Sequence, residues 1–357
     1  MTGNGIGRIF RLTTFGESHG AGIGGVLEGC PPGLELDEAV IQVELDARRP
    51  GKPDDVSGTP RQEPDRIKIL SGVFEGRTTG HPIGFFIENT CQKSEDYNKL
   101  RDLYRPGHAD YPWQEKYGIR DYRGGGRSSG RETAARVAGG AIALALLQKY
   151  GICVRAFCVE FGGIPSEIVD PGGSSGRAFF SPDPEALAKW NSKVSEARAA
   201  KESLGGIVQI EAHGLPAGLG EPVFDGLDAR LGAAFLSVGA IKGVEFGAGF
   251  AVTRLPGSES NDILTPQGYL TNRAGGIIGG VSNGNTLVAR VAVKPIPSIG
   301  KKQQMMDRHG QMHELAVGGR HDLSPIPRIV PVLKAMCALT LADFIMLQRC
   351  IKQSIVL

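Results

Sequence analysis

The segment Tyr122-Arg123-Gly124-Gly125-Gly126-Arg127-Ser128-Ser129-Gly130-Arg131-Glu132 constrains this chain more than any other. Consecutive glycines admit backbone that side chains rarely tolerate. They run directly into Ser129-Gly130-Arg131-Glu132, an S-x-x-E capping box. The spacing predicts a helix over residues 130–150, with Gly151 as its C-terminal cap. Its body is rich in alanine and glycine, so neighbours can pack close to it. A helix start offers free N–H groups to an anion, and the arginines add full charge. The segment therefore predicts an anion-binding loop. No G-x-x-x-x-G-K-[ST] run exists, so nucleotide hydrolysis is not indicated. An RGG-type RNA tail would be disordered and repeated, whereas this segment occurs once and feeds a helix.

Glycine is abundant throughout, 52 of 357 residues, with no collagen-like period. Many of these glycines read equally well as tight turns in a sheet-rich fold. The formal net charge is only +2 and aromatic residues are 6%, which argues against a nucleic-acid binder. Hydrophobic residues reach 41%, enough for a large core and against disorder. None of the 6 cysteines forms a C-x-x-C pair, so reduced thiols and no zinc site are expected. His309 and His313 lie four apart without an H-E-x-x-H pattern, so no metal is expected there either. The opening residues carry no hydrophobic signal region, and the apolar stretch 330–347 contains Lys334 and Asp343. The expectation is a cytoplasmic protein without a membrane span.

Strand-like runs cover 8–14, 67–70, 82–88, 152–160, 206–212, 241–250 and 286–293, several of them alternating apolar and polar residues. Helices are predicted over 37–46, 184–200, 225–235 and 326–348, the last apolar nearly all round and so placed in the core. Residues 171–176 and 295–310 read as loops. No internal repeat or long linker appears, which suggests one large α+β unit over residues 1–357.

Four further segments carry candidate chemistry. Gly16-Glu17-Ser18-His19-Gly20 places a histidine on exposed backbone after a strand, suited to proton transfer or merely part of a turn. Arg48-Arg49-Pro50-Gly51 leaves a helix, where two guanidiniums either answer the helix dipole or clamp carboxylate and phosphate. Arg105-Pro106-Gly107-His108-Ala109-Asp110 fixes Arg105 and His108 on a turn, as a charge-binding and proton-donating pair. Gly318-Gly319-Arg320-His321-Asp322 combines anion binding with proton transfer, or forms a local ion pair.

Together these segments resemble chorismate synthases. The likeness runs from Gly3-Asn4 through residues 15–20 and 48–51, Glu63-Pro64-Asp65, Ile69-Leu70-Ser71-Gly72, residues 105–110 and 121–132, Gly243-Val244-Glu245 and residues 275–280, to Arg320-His321-Asp322. Each motif is moderately specific, and their joint order is highly so. The resemblance implies a carbon–oxygen lyase. It would convert 5-enolpyruvylshikimate 3-phosphate to chorismate and phosphate by anti-1,4-elimination, the last common step of aromatic amino-acid biosynthesis. It also implies reduced FMN as cofactor, a single α+β domain with helices sandwiched between antiparallel β-sheets, and a homotetramer.

By the same resemblance, His19 would act as the acid near the departing phosphate. His108 would protonate, or hydrogen-bond to, the reduced flavin, and Asp322 would help it take up the ring proton. Ser18, Ser129, Arg48, Arg49, Arg105, Arg131 and Arg320 would hold the substrate. Flavin contacts would come from Arg127, Ser128, Ser129, Gly239, Ala240, Gly279, Lys294, Pro295, Ile296, Pro297, Ser298 and Arg320. Relatives often carry Asn where this chain has Gly239, and hydroxyl residues where it has Ile296 and Pro297. Leu323 stands where a proline is frequent. An arginine common after Gly51 is missing, with Lys52 or Arg61 as replacements. Relatives that reduce their own flavin use a nicotinamide cofactor such as NADPH. No separate Rossmann fingerprint is present, so an external flavin reductase is expected.

Overall fold

The computed structural model describes residues 3–49, 58, 64–90, 97, 100–316 and 322–351. Two five-stranded sheets, antiparallel throughout, enclose a layer of helices. The first has the order Gly5–Ile6, Arg11–Gly16, Gly22–Glu28, Ile83–Glu88, Ile67–Ile69. The second has the order Ile164–Pro165, Cys153–Phe161, Gly206–His213, Leu287–Val293, Ile241–Phe246. One hydrophobic cluster runs from sheet to sheet through the helices. The expected architecture, helices between antiparallel sheets, is the one found.

Helix α1, Glu38–Arg48, starts where Asp37 accepts the Val40 N–H at 2.9 Å. Helix α2, Asp110–Tyr117, follows the Arg105 turn directly and is absent from the sequence reading. Two of its eight residues are tyrosines and one a proline, so no apolar stripe marks it. Helix α3, Thr133–Gln148, lies within the predicted span, and Gly151 sits beyond its end at φ +69°. The capping box forms differently from expectation. Ser129 accepts from the Arg131 N–H, but Glu132 turns away to pair with Arg136 at 2.8 Å. A single 3-10 turn, Gly130–Glu132, therefore precedes α3.

Helices α4, Ala186–Ala199, and α5, Leu227–Leu236, match their predicted spans within a few residues. The C-terminal helix, Ile326–Ile351, is long and apolar enough to cross a membrane, but its apolar window is 89% buried inside the fold. Two of its charged residues are spent internally. Lys334 pairs with Glu44 at 2.7 Å, and Asp343 accepts the backbone N–H groups of Arg8, Ile9 and Phe10. Helix α3 packs along it, and a Cβ added to Gly140 would lie 2.3 Å from the Ala335 Cβ.

Two predictions about strands are corrected. Residues 295–310 are not all loop, because Lys302–Asp307 pairs with Met312–Ala316 and with Leu103–Tyr104. Strand Gly22–Glu28 was missed because its glycines read as turns. They are there for space: a Cβ at Gly24 would meet the Phe15 ring at 2.6 Å, and one at Gly25 the Phe85 ring at 2.6 Å.

Candidate active site

A cavity of about 620 Å³ opens where the glycine loop, the start of α3, the end of α5 and the start of the C-terminal helix meet. That volume suits a small organic ligand, for which roughly 300–1,000 Å³ is usual. Of the predicted residues, Arg48, His108, Arg127, Ser128, Ser129, Gly239, Ala240, Lys294, Ile296, Pro297 and Asp322 line it. Segments far apart in sequence are thereby brought to one place.

His108 stands on the Arg105 turn, next to the helix start of α2. Its Nδ1 lies 3.0 Å from the Pro106 carbonyl and its Nε2 3.0 Å from Ser298 Oγ. Burial first, then the Arg105 charge, pushes its pKa down to about 4. The ring is therefore neutral near pH 7. Ser298 reaches the site through this contact, although it does not line the cavity. Lys294 donates to the Gly107 carbonyl at 2.9 Å, which ties the 294–298 loop to the histidine turn. Burial, then nearby Lys242, lowers the Lys294 pKa. Asp322 Oδ2 lies 3.2 Å from Arg328 Nε, so the carboxylate faces a cation at the cavity wall.

The arginines divide by role. Arg105 is buried and bidentate with Asp110, at 2.8 and 2.9 Å, and Arg120 pairs with the same carboxylate at 3.1 Å. Burial opposes the charge on Asp110, but the Arg105 hydrogen bonds and charge outweigh it and hold the carboxyl below its usual range. Arg105 therefore organises the turn and does not line the cavity. Arg48 is 1% exposed and donates to Asp65 at 3.1 Å, to Thr133 at 3.0 Å and to the Gly130 carbonyl at 2.8 Å. Arg131 takes the other oxygen of Asp65 and donates to Asn89 at 3.0 Å. Asp65, wholly buried and at φ +43°, thus positions both guanidiniums. Arg49 is half-exposed beside Asp46, 3.5 Å away, and does not line the cavity.

Ser18 and His19 lie on the opposite side of the glycine loop. Gly124, at φ +65°, is where they touch it, since a Cβ there would sit 2.7 Å from the His19 ring and 2.8 Å from Ser18 Oγ. A Cβ on the next residue, Gly125, would face Ser128 at 3.0 Å and Arg105 at 3.6 Å. His19 thus packs against the glycine loop at Gly124, next to the residues that line the cavity. Tyr97 packs edge-on against His19 at 5.2 Å. Gly279 lies in the hairpin formed by Ile277–Ile278 and Val281–Ser282, and neither it nor Pro295 lines the cavity. Arg320 and His321, like Pro50, Gly51, Lys52 and Arg61, fall outside the described residues.

Several lining residues escaped the sequence reading: Trp113, Arg136, Ser237 and Arg328, while Glu132, read there only as part of a helix cap, lines the cavity too. Arg136 had a signal, because it follows Glu132 by four residues on a helix that points at the loop. Trp113 and Arg328 had none. The backbone at the cavity is also unusual, with Ala240 at φ +75°, a strained conformation for a residue with a side chain.

A helical layer between antiparallel sheets, with a cleft lined by Arg48, Arg127, Arg136, Lys294 and Arg328, defines a mixed α+β protein with a cationic pocket. The chorismate synthase family profile matches residues 10–346. The chain is similar to the chorismate synthase of Nitratidesulfovibrio vulgaris strain Hildenborough, 61% identical over 349 residues and covering 98% of each chain. It is similar to that of Syntrophobacter fumaroxidans, 54% identical over 346 residues, covering 97% of this chain and 98% of that one. A solved crystal structure of chorismate synthase superposes with a TM-score of 0.76 at 32% identity, covering 96% of this chain and 93% of that one. The chain belongs to the chorismate synthase family, and it is an enzyme.

Proposed function

We propose that this enzyme eliminates phosphate from 5-enolpyruvylshikimate 3-phosphate in the anti-1,4 sense, giving chorismate and inorganic phosphate, with reduced FMN as cofactor. The observation that carries this reading is the convergence of His108, Asp322, Arg48, Ser129 and Lys294 on one cleft. Such a reaction breaks a carbon–oxygen bond to phosphate and removes a ring proton. The site must hold a phosphate and two carboxylates and move one proton. Arginine forks suit those oxyanions.

The cleft fits a flavin on two counts. Trp113, Ile296, Pro297 and Val332 give it apolar walls, while Arg127 and Lys294 give it cations for a phosphate tail. Around Gly239 the space is open, with nothing within 4 Å of where a Cβ would stand. Reduced FMN, when bound, lends electron density to the breaking bond and recovers it, so no net oxidation occurs.

The protein's own groups do the rest. Arg48, held by Asp65 at the cleft wall, would add a fixed positive charge near the substrate's anionic groups. Ser129 adds a hydroxyl at the helix start. His108 keeps Nδ1–H on Pro106, which leaves Nε2 as the atom that carries or accepts a proton. Asp322 is the carboxylate placed to share the ring proton. His19, packed on Gly124, is the candidate acid for the departing phosphate. Exposed Phe224, Phe250, Leu264 and Leu270 support a homo-oligomer, which we take to be the tetramer. A separate cytoplasmic reductase would supply the reduced flavin.

The test is anaerobic. Purified enzyme, reduced FMN and the enolpyruvyl substrate should give chorismate, followed by absorbance. Absence of product under those conditions overturns the proposal. NADPH added to the protein with oxidised FMN should leave the flavin oxidised.

A further inference from the structure

A second cavity, of about 440 Å³, lies behind the first, between the N-terminal strand, α5 and the C-terminal helix. The two share Gly3, Asn4, Arg127, Arg136 and Ser237. Four arginines line the second cavity, Arg8, Arg127, Arg136 and Arg230, against two aspartates, Asp225 and Asp343.

Their charges do not cancel locally. Both oxygens of Asp343 are occupied by backbone N–H groups of Arg8, Ile9 and Phe10. Asp225 serves two arginines, since one oxygen pairs with Arg8 and the other lies 3.7 Å from Arg230. Arg136 is matched by Glu132. Among the described residues, Arg127 donates only to neutral oxygens: the Gly16 and Thr14 carbonyls, Thr14 Oγ1 and Asn4 Oδ1. Arg127 thus keeps an unmatched charge at the junction of the cavities. Arg8 and Arg230, with side chains 45% and 34% exposed, share one negative charge at the rim.

We propose that this second cavity is a phosphate subsite, with Arg127 and Arg230 on the phosphate oxygens and Arg8 completing the cationic wall. Guanidiniums approaching from different elements can reach several oxygens of a tetrahedral oxyanion at once. Two sources share this chemistry. One is the phosphate tail of the flavin, to which Ile296 and Pro297 offer no side-chain hydroxyl. The other is inorganic phosphate leaving the first cavity through the shared wall. The flavin source rests on the proposed cofactor, whereas the subsite itself does not.

The folded wild type and Arg230→Gln are titrated with inorganic phosphate by calorimetry, and with FMN and riboflavin by flavin fluorescence. Removing one charge-assisted contact should weaken binding of the phosphate-bearing ligand about tenfold. Weaker FMN with unchanged riboflavin identifies the flavin tail, and weaker inorganic phosphate with unchanged FMN identifies free phosphate. Ala233→Glu, on the exposed face of α5 at the same cavity, provides a second variant and should act in the same direction. Unchanged affinity for both phosphate-bearing ligands in the folded variants overturns the subsite. If neither flavin binds the wild type, the cofactor reading fails, while the inorganic phosphate titration still decides the subsite.

Discussion

Nε2 of His108 lies 3.0 Å from Oγ of Ser298, while Nδ1 of the same ring faces the Pro106 carbonyl. A neutral ring satisfies both contacts, donating from Nδ1 and accepting at Nε2. Protonation would turn the serine from donor to acceptor. The bond to the charged ring is the stronger of the two, so Ser298→Ala should lower the His108 pKa further below about 4, by roughly half to one unit. Nitrogen-15 NMR of the labelled ring gives both the tautomer and the titration. An unmoved pKa would show that the serine does not act on the ring.

The same histidine links stability to pH. Its folded pKa, about 4, lies below its ordinary value of 6.5, so the unfolded chain binds the proton more tightly. The stability this provides is fully present above pH 6.5 and is lost as pH falls towards 4. Between pH 7 and 5 the loss is roughly 1–2 kcal/mol. Urea unfolding at the two pH values should show a smaller drop for His108→Gln than for the wild type. Equal drops would contradict the linkage.

Asp65 should be the most costly single carboxylate to remove. It is wholly buried and holds Arg48 and Arg131 by its two oxygens. Asp65→Asn leaves a buried guanidinium without its counter-charge, at about 3–5 kcal/mol. The midpoint of chemical unfolding measures this, and a loss under about 1 kcal/mol would place the pair among weak surface bridges.

Two helical glycines should respond in opposite directions. Gly140→Ala forces a methyl to within 2.3 Å of the Ala335 Cβ and should destabilise by about 1–3 kcal/mol. Gly232→Ala, in α5 with nothing within 4 Å, should stabilise by about 0.5–1 kcal/mol through helix propensity. Thermal unfolding of the pair tests whether close packing sets the α3 glycines.

Kinetics should separate proton transfer from binding. His108→Ala and Asp322→Asn are expected to lower kcat by at least about a hundredfold, with KM changed far less. A rise in KM at constant kcat would assign these residues to binding alone.

Much of the fold was legible because strong local signals agreed with the tertiary outcome. Asp37 caps α1 and Gly151 closes α3, where the residue types demanded it. Glycine misled at strand Gly22–Glu28, because crowding by Phe15 and Phe85 selects it there and leaves no periodic trace. In the site, His108, Ser128 and Asp322 were visible as motif members. Which arginines face the cleft was not visible, because that depends on distant acids. Asp110 claims Arg105 and Asp65 claims Arg131, whereas Arg48 lines the cleft although it shares Asp65, and Arg136 enters through its tie to Ser237 at 2.7 Å. Charge type can be read from a sequence, but the partner that neutralises it is chosen by the fold.

The grip of Asp343 on the amides of Arg8, Ile9 and Phe10 spans more than 330 residues. Gly3 and Asn4, just before that turn, form part of the cleft wall. During synthesis the first residues leave the ribosome long before the helix that must hold them. The entrance wall can therefore set only after residue 343 has been made, and a chain truncated before it would emerge with its catalytic motifs present and its cleft unfinished.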